Sequence, residues 1–168
     1  MNDSIKIIDN FLTVEYFNYI QQEILNNNFP WYCDTVLEPP LQLCEDKDNT
    51  FFCHLLYINR RSKSNYFHVF EQLFDILDIK SLIRAKLNLY PRTNSIVEHG
   101  YHQDNDFCGS KSAILYLNSS NGYTKFRDSN QIIESKENRI IIFDSQLWHT
   151  SSTCSDNSIR VNLNINYF

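Results

Sequence analysis

The chain has 168 residues, a length that fits one domain built around a single hydrophobic core. Its net charge of −5 argues against a protein that grips a nucleic-acid backbone, because such proteins usually carry a basic face. No apolar run approaches the length of a membrane span, and the amino terminus lacks the basic and apolar segments of a secretory signal. Five scattered cysteines without a closely spaced pair are typical of free thiols, not of a disulfide framework or a zinc knuckle. We therefore expect a cytoplasmic protein with a single domain, residues 1–168, and no membrane association.

The first part of the chain, residues 1–82, predicts supporting helices and outer strands. A short strand is expected at 5–8, and Thr13 is a predicted N-cap with an acidic residue in the first turn. Phe17, Ile20 and Ile24 follow at helical spacing and form one apolar stripe. The other predicted elements of this part are two extended segments, 29–43 and 51–58, and a second helix, 65–77.

The second part, residues 83–168, changes to short strands separated by turn sequences. Since the helices precede the strands instead of alternating with them, a parallel doubly wound sheet is disfavoured and a sandwich or barrel is favoured. The predicted strands are 84–90, 112–118, 123–126, 132–135, 139–143 and 159–168.

A histidine and a carboxylate are spaced for joint action at His102-x-Asp104. In an extended strand, residues i and i+2 point to the same face, so the two side chains would be presented together. His149 follows an apolar strand at a predicted turn and could complete a set of two histidines and one carboxylate. That set leaves coordination positions open on one side of a metal and is typical of non-haem Fe(II) oxygenases. Asp106 stands at the same even spacing from His102, so the spacing leaves open which aspartate would bind.

Arg160 is the second notable feature, because it lies in a strand with strict period two. One face of this strand is apolar, and the other carries Arg160, Asn162, Asn164 and Asn166. An arginine that points into a small barrel is costly unless an anion meets it.

Together these residues resemble the Fe(II)/2-oxoglutarate-dependent oxygenases, and most of all their prolyl 4-hydroxylase-like branch. Three further phrases support the likeness, which spans 84–168: Leu89-Tyr90-Pro91, Leu115-Tyr116-Leu117-Asn118, and the strand 123–126 after Gly122. The resemblance implies a mostly β fold, a double-stranded β-helix (jelly-roll, cupin-like), with N-terminal supporting helices and residues 83–168 as the metal-binding core.

The resemblance also implies cofactors and residue roles. Fe(II) would be bound by His102, Asp104 and His149, and the co-substrates would be 2-oxoglutarate and O2. The residues implied for 2-oxoglutarate are Arg160 and Tyr116, at its C5 carboxylate, and Tyr90, which would line the pocket. The residues expected around the substrate are His99, Asn88, Asn162 and Asn166. Asn166 departs from the family pattern, which often has a bulky residue six positions after the arginine, and this departure leaves the substrate open.

The function implied is a hydroxylase that acts on a protein or peptide side chain, as prolyl hydroxylases do, or on a small molecule such as a free amino acid. Two alternatives remain: a nucleic-acid demethylase of the same oxygenase class, and a non-enzymatic cupin-like metal-binding protein. Few basic residues lie near the motif, which disfavours the first, and a metal-binding jelly-roll does not need Arg160, which disfavours the second. The oligomeric state is not predicted.

Overall fold

A computed structural model describes residues 5–35 and 50–168. Its helices are α1 (Val14–Ile24), a 3-10 helix (Asn65–Phe70) and α2 (Glu71–Ile76). Its strands are β1 (Lys6–Ile8), β2 (Tyr32–Thr35), β3 (Thr50–Ile58), β4 (Arg61–Ser62), β5 (Leu82–Pro91), β6 (Lys111–Tyr116), β7 (Tyr123–Phe126), β8 (Ile132–Glu134), β9 (Ile140–Asp144), β10 (His149–Ser151) and β11 (Ile159–Tyr167). No helix in these two ranges is both long and apolar enough to cross a membrane.

The strands form two antiparallel sheets, which confirms the prediction of a mostly β jelly-roll with N-terminal supporting helices. The large sheet has eight strands in the order β1-β9-β6-β11-β5-β3-β2, with β4 paired to β3. The small sheet has three strands in the order β10-β7-β8. The two strands that carry half of the predicted site residues, β5 and β11, are neighbours near the middle of the large sheet.

The helices cover one face of the large sheet. Thr13 caps α1, since its side chain accepts a hydrogen bond from the Tyr16 N–H, as predicted. The α1 stripe of Ile20 and Ile24 is fully buried and joins Leu163 of β11 in the main core. This face is therefore held by apolar burial, which contributes about 25 cal/mol per Å2 of apolar area.

A second apolar cluster joins the opposite face of the large sheet to the small sheet. Ile141 and Phe143 of β9 meet Phe126 of β7 and Ile133 of β8. The rings of Phe126 and Phe143 pack edge to face with centroids 4.9 Å apart. This cluster closes one side of the interior and leaves the remaining space between the sheets to polar side chains of β5 and β11.

Two segments of the first half differ from the predicted elements. The predicted helix 65–77 is divided into a 3-10 helix and α2, and within the 3-10 helix the His68 imidazole Nδ1 contacts the Asn65 carbonyl. Its apolar stripe is nevertheless in or against the core. The predicted extended segment 29–43 contains β2, and its part after Thr35 lies outside the described residues.

Two segments around the predicted ligands also differ. His102 and Asp104 are not in a strand: His102 forms an isolated antiparallel bridge with His149, and Asp104 lies in a bend. His149 does not sit in a turn but begins β10. The period-two argument for His102 and Asp104 was therefore wrong in its premise, and their proximity comes from the pairing of two distant segments.

Candidate metal and co-substrate site

The predicted metal ligands meet at one point between the two sheets. His102 and His149 exchange two backbone hydrogen bonds of 2.9 and 3.0 Å, and their rings lie 4.5 Å apart. The His149 Nε2 and an Asp104 carboxylate oxygen are 3.8 Å apart, and one ligand atom from each of the three residues lies within 4.8 Å of the others. First-row metals bind such atoms at about 2.0–2.2 Å, so this spacing suits a single ion. Asp106 is exposed and outside this group, so the choice left open by the sequence falls on Asp104.

Both imidazoles are oriented to present Nε2 as the ligand atom. The His149 Nδ1 lies 2.9 Å from the Leu147 carbonyl oxygen, and the His102 Nδ1 lies 3.5 Å from that of Gly100. A carbonyl only accepts hydrogen bonds, so each Nδ1 is the donor to its carbonyl, and Nε2 is the ring nitrogen left to face a metal. Burial, followed by the proximity of His149, lowers the pKa of His102 to about 4, which keeps this ring neutral at pH 7.

Asp104 is held as a carboxylate by neighbours that the sequence analysis missed. Its side chain is 1% exposed, and one oxygen accepts a 2.9 Å charged hydrogen bond from Arg84. The other oxygen accepts a hydrogen bond from Ser112, and the Asn164 amide donates to both. Burial alone would raise the pKa of Asp104, but His149, Arg84 and Ser112 outweigh it and lower the pKa to about 2. Two imidazoles and one ionised carboxylate are a donor set that fits ferrous iron.

Arg160 is fully buried in the same interior. Its Nε donates to the Ser135 hydroxyl at 2.6 Å, and its two terminal nitrogens donate to the Ser152 carbonyl and the Thr124 hydroxyl. An arginine has five N–H donors, so these bonds leave two for a ligand. Among the residues that the structure describes, no carboxylate lies within ion-pair distance of this guanidinium. A buried cation without an anion is unfavourable, which makes this a site for an anionic group.

Gly122 makes room for Arg160. A Cβ atom at position 122 would lie 2.6 Å from the Arg160 Cδ and 2.6 Å from the Thr153 carbonyl oxygen. Any side chain here would displace either the arginine or the backbone of the segment opposite. The glycine before the strand 123–126, noted in the sequence as part of a family phrase, thus has a steric role beside the arginine.

The three other predicted aromatic residues surround the guanidinium at different depths. The guanidinium carbon lies 5.1 Å from the Tyr90 ring centroid and 5.6 Å from that of Tyr116. Tyr90 and His99 line the cavity, with ring centroids 5.3 Å apart. Tyr116 stands behind the wall and donates its hydroxyl hydrogen to Thr124 at 2.8 Å. Burial raises the pKa of both tyrosines, so both hydroxyls stay protonated.

The asparagines expected around the substrate divide into two groups. Asn88 and Asn162 line the cavity and are hydrogen-bonded to each other at 3.0 Å. Asn166 does not line it: its amide oxygen accepts from Arg84, and its amide nitrogen donates to Ser112. The prediction of Asn166 as a pocket residue was therefore wrong, because both ends of this amide are used to support the two side chains that hold Asp104.

The cavity between the sheets has a volume of about 310 Å3 and connects the three ligands with the surroundings of Arg160. Several of its lining residues were not singled out from the sequence, because nothing in a single strand shows which polar face is enclosed. Those residues include Asp34, Phe51, Arg84, Lys86, Gln103, Ile114, Thr124, Thr150, Ser151 and Asn164.

Comparisons with known proteins find similarity at the level of structure. No family model and no curated protein matches the sequence. A prolyl hydroxylase from Trichoplax adhaerens, solved with a hypoxia inducible factor peptide fragment, aligns with a TM-score of 0.71 and 14% identity over 99% of this chain and 84% of that one. A prolyl-4-hydroxylase from Pseudomonas putida aligns with a TM-score of 0.62 and 13% identity over 99% of this chain and 93% of that one. A non-haem alpha ketoglutarate dependent epimerase from nogalamycin biosynthesis aligns with a TM-score of 0.68 and 10% identity over 99% of this chain and 78% of that one. The chain thus has the jelly-roll fold of these oxygenases, the same family that its motifs resemble.

Proposed function

We propose that this protein is an Fe(II)- and 2-oxoglutarate-dependent oxygenase that hydroxylates a protein or peptide side chain, as prolyl hydroxylases do, or a free amino acid. One observation carries the proposal: three side chains that could hold a metal ion converge in an interior that also holds a buried guanidinium with no carboxylate partner among the described residues. A metal site alone does not explain the guanidinium, whereas a dicarboxylic acid bound at the metal does.

In this proposal His102, Asp104 and His149 hold the iron, which, when bound with 2-oxoglutarate and O2, supplies the oxidising power for hydroxylation. The His102 imidazole, which burial keeps neutral, and the ionised Asp104 carboxylate need no proton loss to bind it. Arg84 fixes the orientation of Asp104, so that the ligand side chain is held in place before the metal arrives.

The C5 carboxylate of 2-oxoglutarate pairs with the two remaining N–H groups of Arg160. Thr124 adds a donor, because its oxygen accepts from Tyr116 and Arg160 and its own hydrogen is left to donate. The Tyr90 hydroxyl accepts from Ser151 and likewise keeps its hydrogen for the carboxylate. Tyr116, for which the family resemblance implies direct contact, acts through Thr124 in this arrangement.

Neither alternative function has an observation in its favour. A nucleic-acid demethylase would need basic groups at the mouth, and the chain is acidic overall. A metal-binding jelly-roll without turnover would use the same three ligands but would leave Arg160 unexplained.

The test is the release of succinate from 2-oxoglutarate by protein reconstituted with Fe(II) under O2. We expect slow succinate release without substrate, dependent on Fe(II) and abolished by His149→Ala, with His68→Ala as the matched control at an exposed histidine. Binding of 2-oxoglutarate to the metal-loaded protein, measured by calorimetry without O2, checks the co-substrate site separately. If the protein binds Fe(II) but neither binds 2-oxoglutarate nor releases succinate, the proposal is overturned.

A further inference from the structure

The inward faces of β5 and β11 form a ladder of polar pairs that begins at Arg160 and ends at the metal ligands. Cross-strand partners in an antiparallel pair lie side by side, so each rung places two neighbouring side chains on the inward face of the sheet. The four rungs are Arg160 with Tyr90, Asn162 with Asn88, Asn164 with Lys86, and Asn166 with Arg84.

Lys86 is a second cation in this ladder, and the proposed co-substrate site does not use it. Positions 160 and 164 of β11 are separated by four residues, so the rung of Lys86 lies about 13 Å from that of Arg160. Its rung partner Asn164 donates to Asp104, which places Lys86 beside the metal ligands. A single 2-oxoglutarate that reaches from the metal to Arg160 therefore extends away from Lys86.

Lys86 lines the cavity, and no described residue of opposite charge lies at contact distance from its ammonium group. It stands 5.1 Å from the Phe51 ring centroid, and within 5–35 and 50–168 its Nζ makes no ion pair. The charged or titratable groups that act on it are Arg84, Cys53, Asp34 and Asp104. Arg84 already pairs with Asp104, so Lys86 is the cation of this wall that remains to meet an anion from outside.

The same wall offers hydrogen-bond acceptors that lack donors. Asn88 and Asn164 are 6% and 7% exposed, and the amide oxygen of each has no hydrogen-bond partner among the described residues. A buried acceptor without a donor costs about 1–3 kcal/mol. A ligand whose N–H groups donate to these two amide oxygens would recover that free energy on binding. A ligand that pairs with all of these groups therefore combines an anion for Lys86 with N–H donors for the two amide oxygens.

We propose, building on the proposed function, that the substrate is a free amino acid whose α-carboxylate binds Lys86 and whose ammonium group donates to the orphaned amide oxygens of Asn88 and Asn164. The size of the cavity agrees with this choice: about 310 Å3 lies at the lower end for small-molecule sites, and the co-substrate occupies part of it. The substrate side chain then projects toward the open coordination positions of the metal.

The test compares free amino acids with their C-terminal carboxamides as stimulators of succinate release by the iron-loaded protein. Among the twenty standard L-amino acids, at least one raises the rate above the substrate-free level, and its carboxamide has a KM about tenfold higher or more. Lys86→Gln removes this preference, so that acid and amide have KM values within about twofold of each other, and Lys86→Arg restores it. Lys63→Gln, at an exposed lysine, keeps the wild-type preference.

Three results would overturn the inference. One is stimulation by acetylated and amidated peptides without stimulation by any free amino acid; this result supports the proposed function and excludes the amino acid. Another is an increase in the KM for 2-oxoglutarate, instead of the amino acid, in Lys86→Gln. The third is the absence of 2-oxoglutarate binding and of substrate-free succinate release, which would remove the proposed function and the inference together.

Discussion

The two faces of strand β11 are both buried, yet they are stabilised in different ways. On the helix side, Val161, Leu163 and Ile165 pack into the main core, where any apolar neighbour of suitable volume contributes. On the cavity side, Arg160, Asn162 and Asn164 need specific partners, and the Asn164 amide oxygen still lacks one among the described residues. The comparison shows that one strand separates stability from ligand binding: the apolar face maintains the fold, and the polar face is completed by what binds there.

The largest effect is expected at the metal. Asp104→Ala should weaken Fe(II) binding on the order of 10³-fold, because one of three ligands is lost and no other carboxylate of the described residues belongs to the group. Asp106→Ala is the matched control, two residues away and exposed, and should leave Fe(II) affinity unchanged. Calorimetric titration with Fe(II) under anaerobic conditions measures both variants, and equal losses in the two would refute the assignment of Asp104.

On the apolar face, Leu163→Ala should lower the free energy of unfolding by about 3 kcal/mol through lost burial and a residual cavity. The folded variant should keep wild-type affinity for 2-oxoglutarate in the presence of metal, since Leu163 points away from the cavity. Urea denaturation and calorimetry give the two quantities. A large loss of 2-oxoglutarate affinity in the folded variant would contradict the separation of the two faces.

On the polar face, we expect Arg160→Met to have the opposite effect to Leu163→Ala: 2-oxoglutarate affinity is lost and the fold is retained. Methionine removes the charge and all five N–H donors, so 2-oxoglutarate affinity should fall by about 100-fold while Fe(II) affinity is retained. Arg92→Met offers a control at another arginine, which lies outside the cavity lining. Unchanged 2-oxoglutarate binding in Arg160→Met would show that the buried guanidinium serves the fold alone.

The smallest effect concerns His99, which is buried and lines the cavity beside Tyr90. Burial, then Arg160 and His102, lower its pKa from 6.5 to about 4. The folded metal-free protein thus binds fewer protons than the unfolded chain, and the stability contributed by neutral His99 is present above pH 6.5 and lost as the pH falls toward 4. For this residue the loss amounts to about 2 kcal/mol at pH 5. Urea denaturation of the metal-free wild type and of His99→Gln at pH 7.5 and 5 measures it; an equally steep loss in the variant would count against this assignment.

Local patterns predicted much of the architecture and part of the site. The α1 stripe after Thr13 and the alternation of β11 are short-range features, and each appears in the structure near its predicted bounds. His102, Asp104 and His149 were predicted as ligands from residue type, order and spacing, and the structure brings them together, although the strand assigned to the first two was wrong. Asn166 was misplaced because a period-two pattern gives the face of a residue but not whether its side chain is already engaged there.

The amino-acid sequence by itself determined which residues are apolar at period two or 3.6, and hence which segments become strands and helices, because these periods follow from local backbone geometry. Only the tertiary structure decided that His102 pairs with His149, that Asp104 and not Asp106 faces them, and that Arg84 and Lys86 enter the same cavity. These outcomes depend on contacts between residues far apart in the chain. Because both sheets enclose the interior, every polar group there that lacks a partner costs free energy.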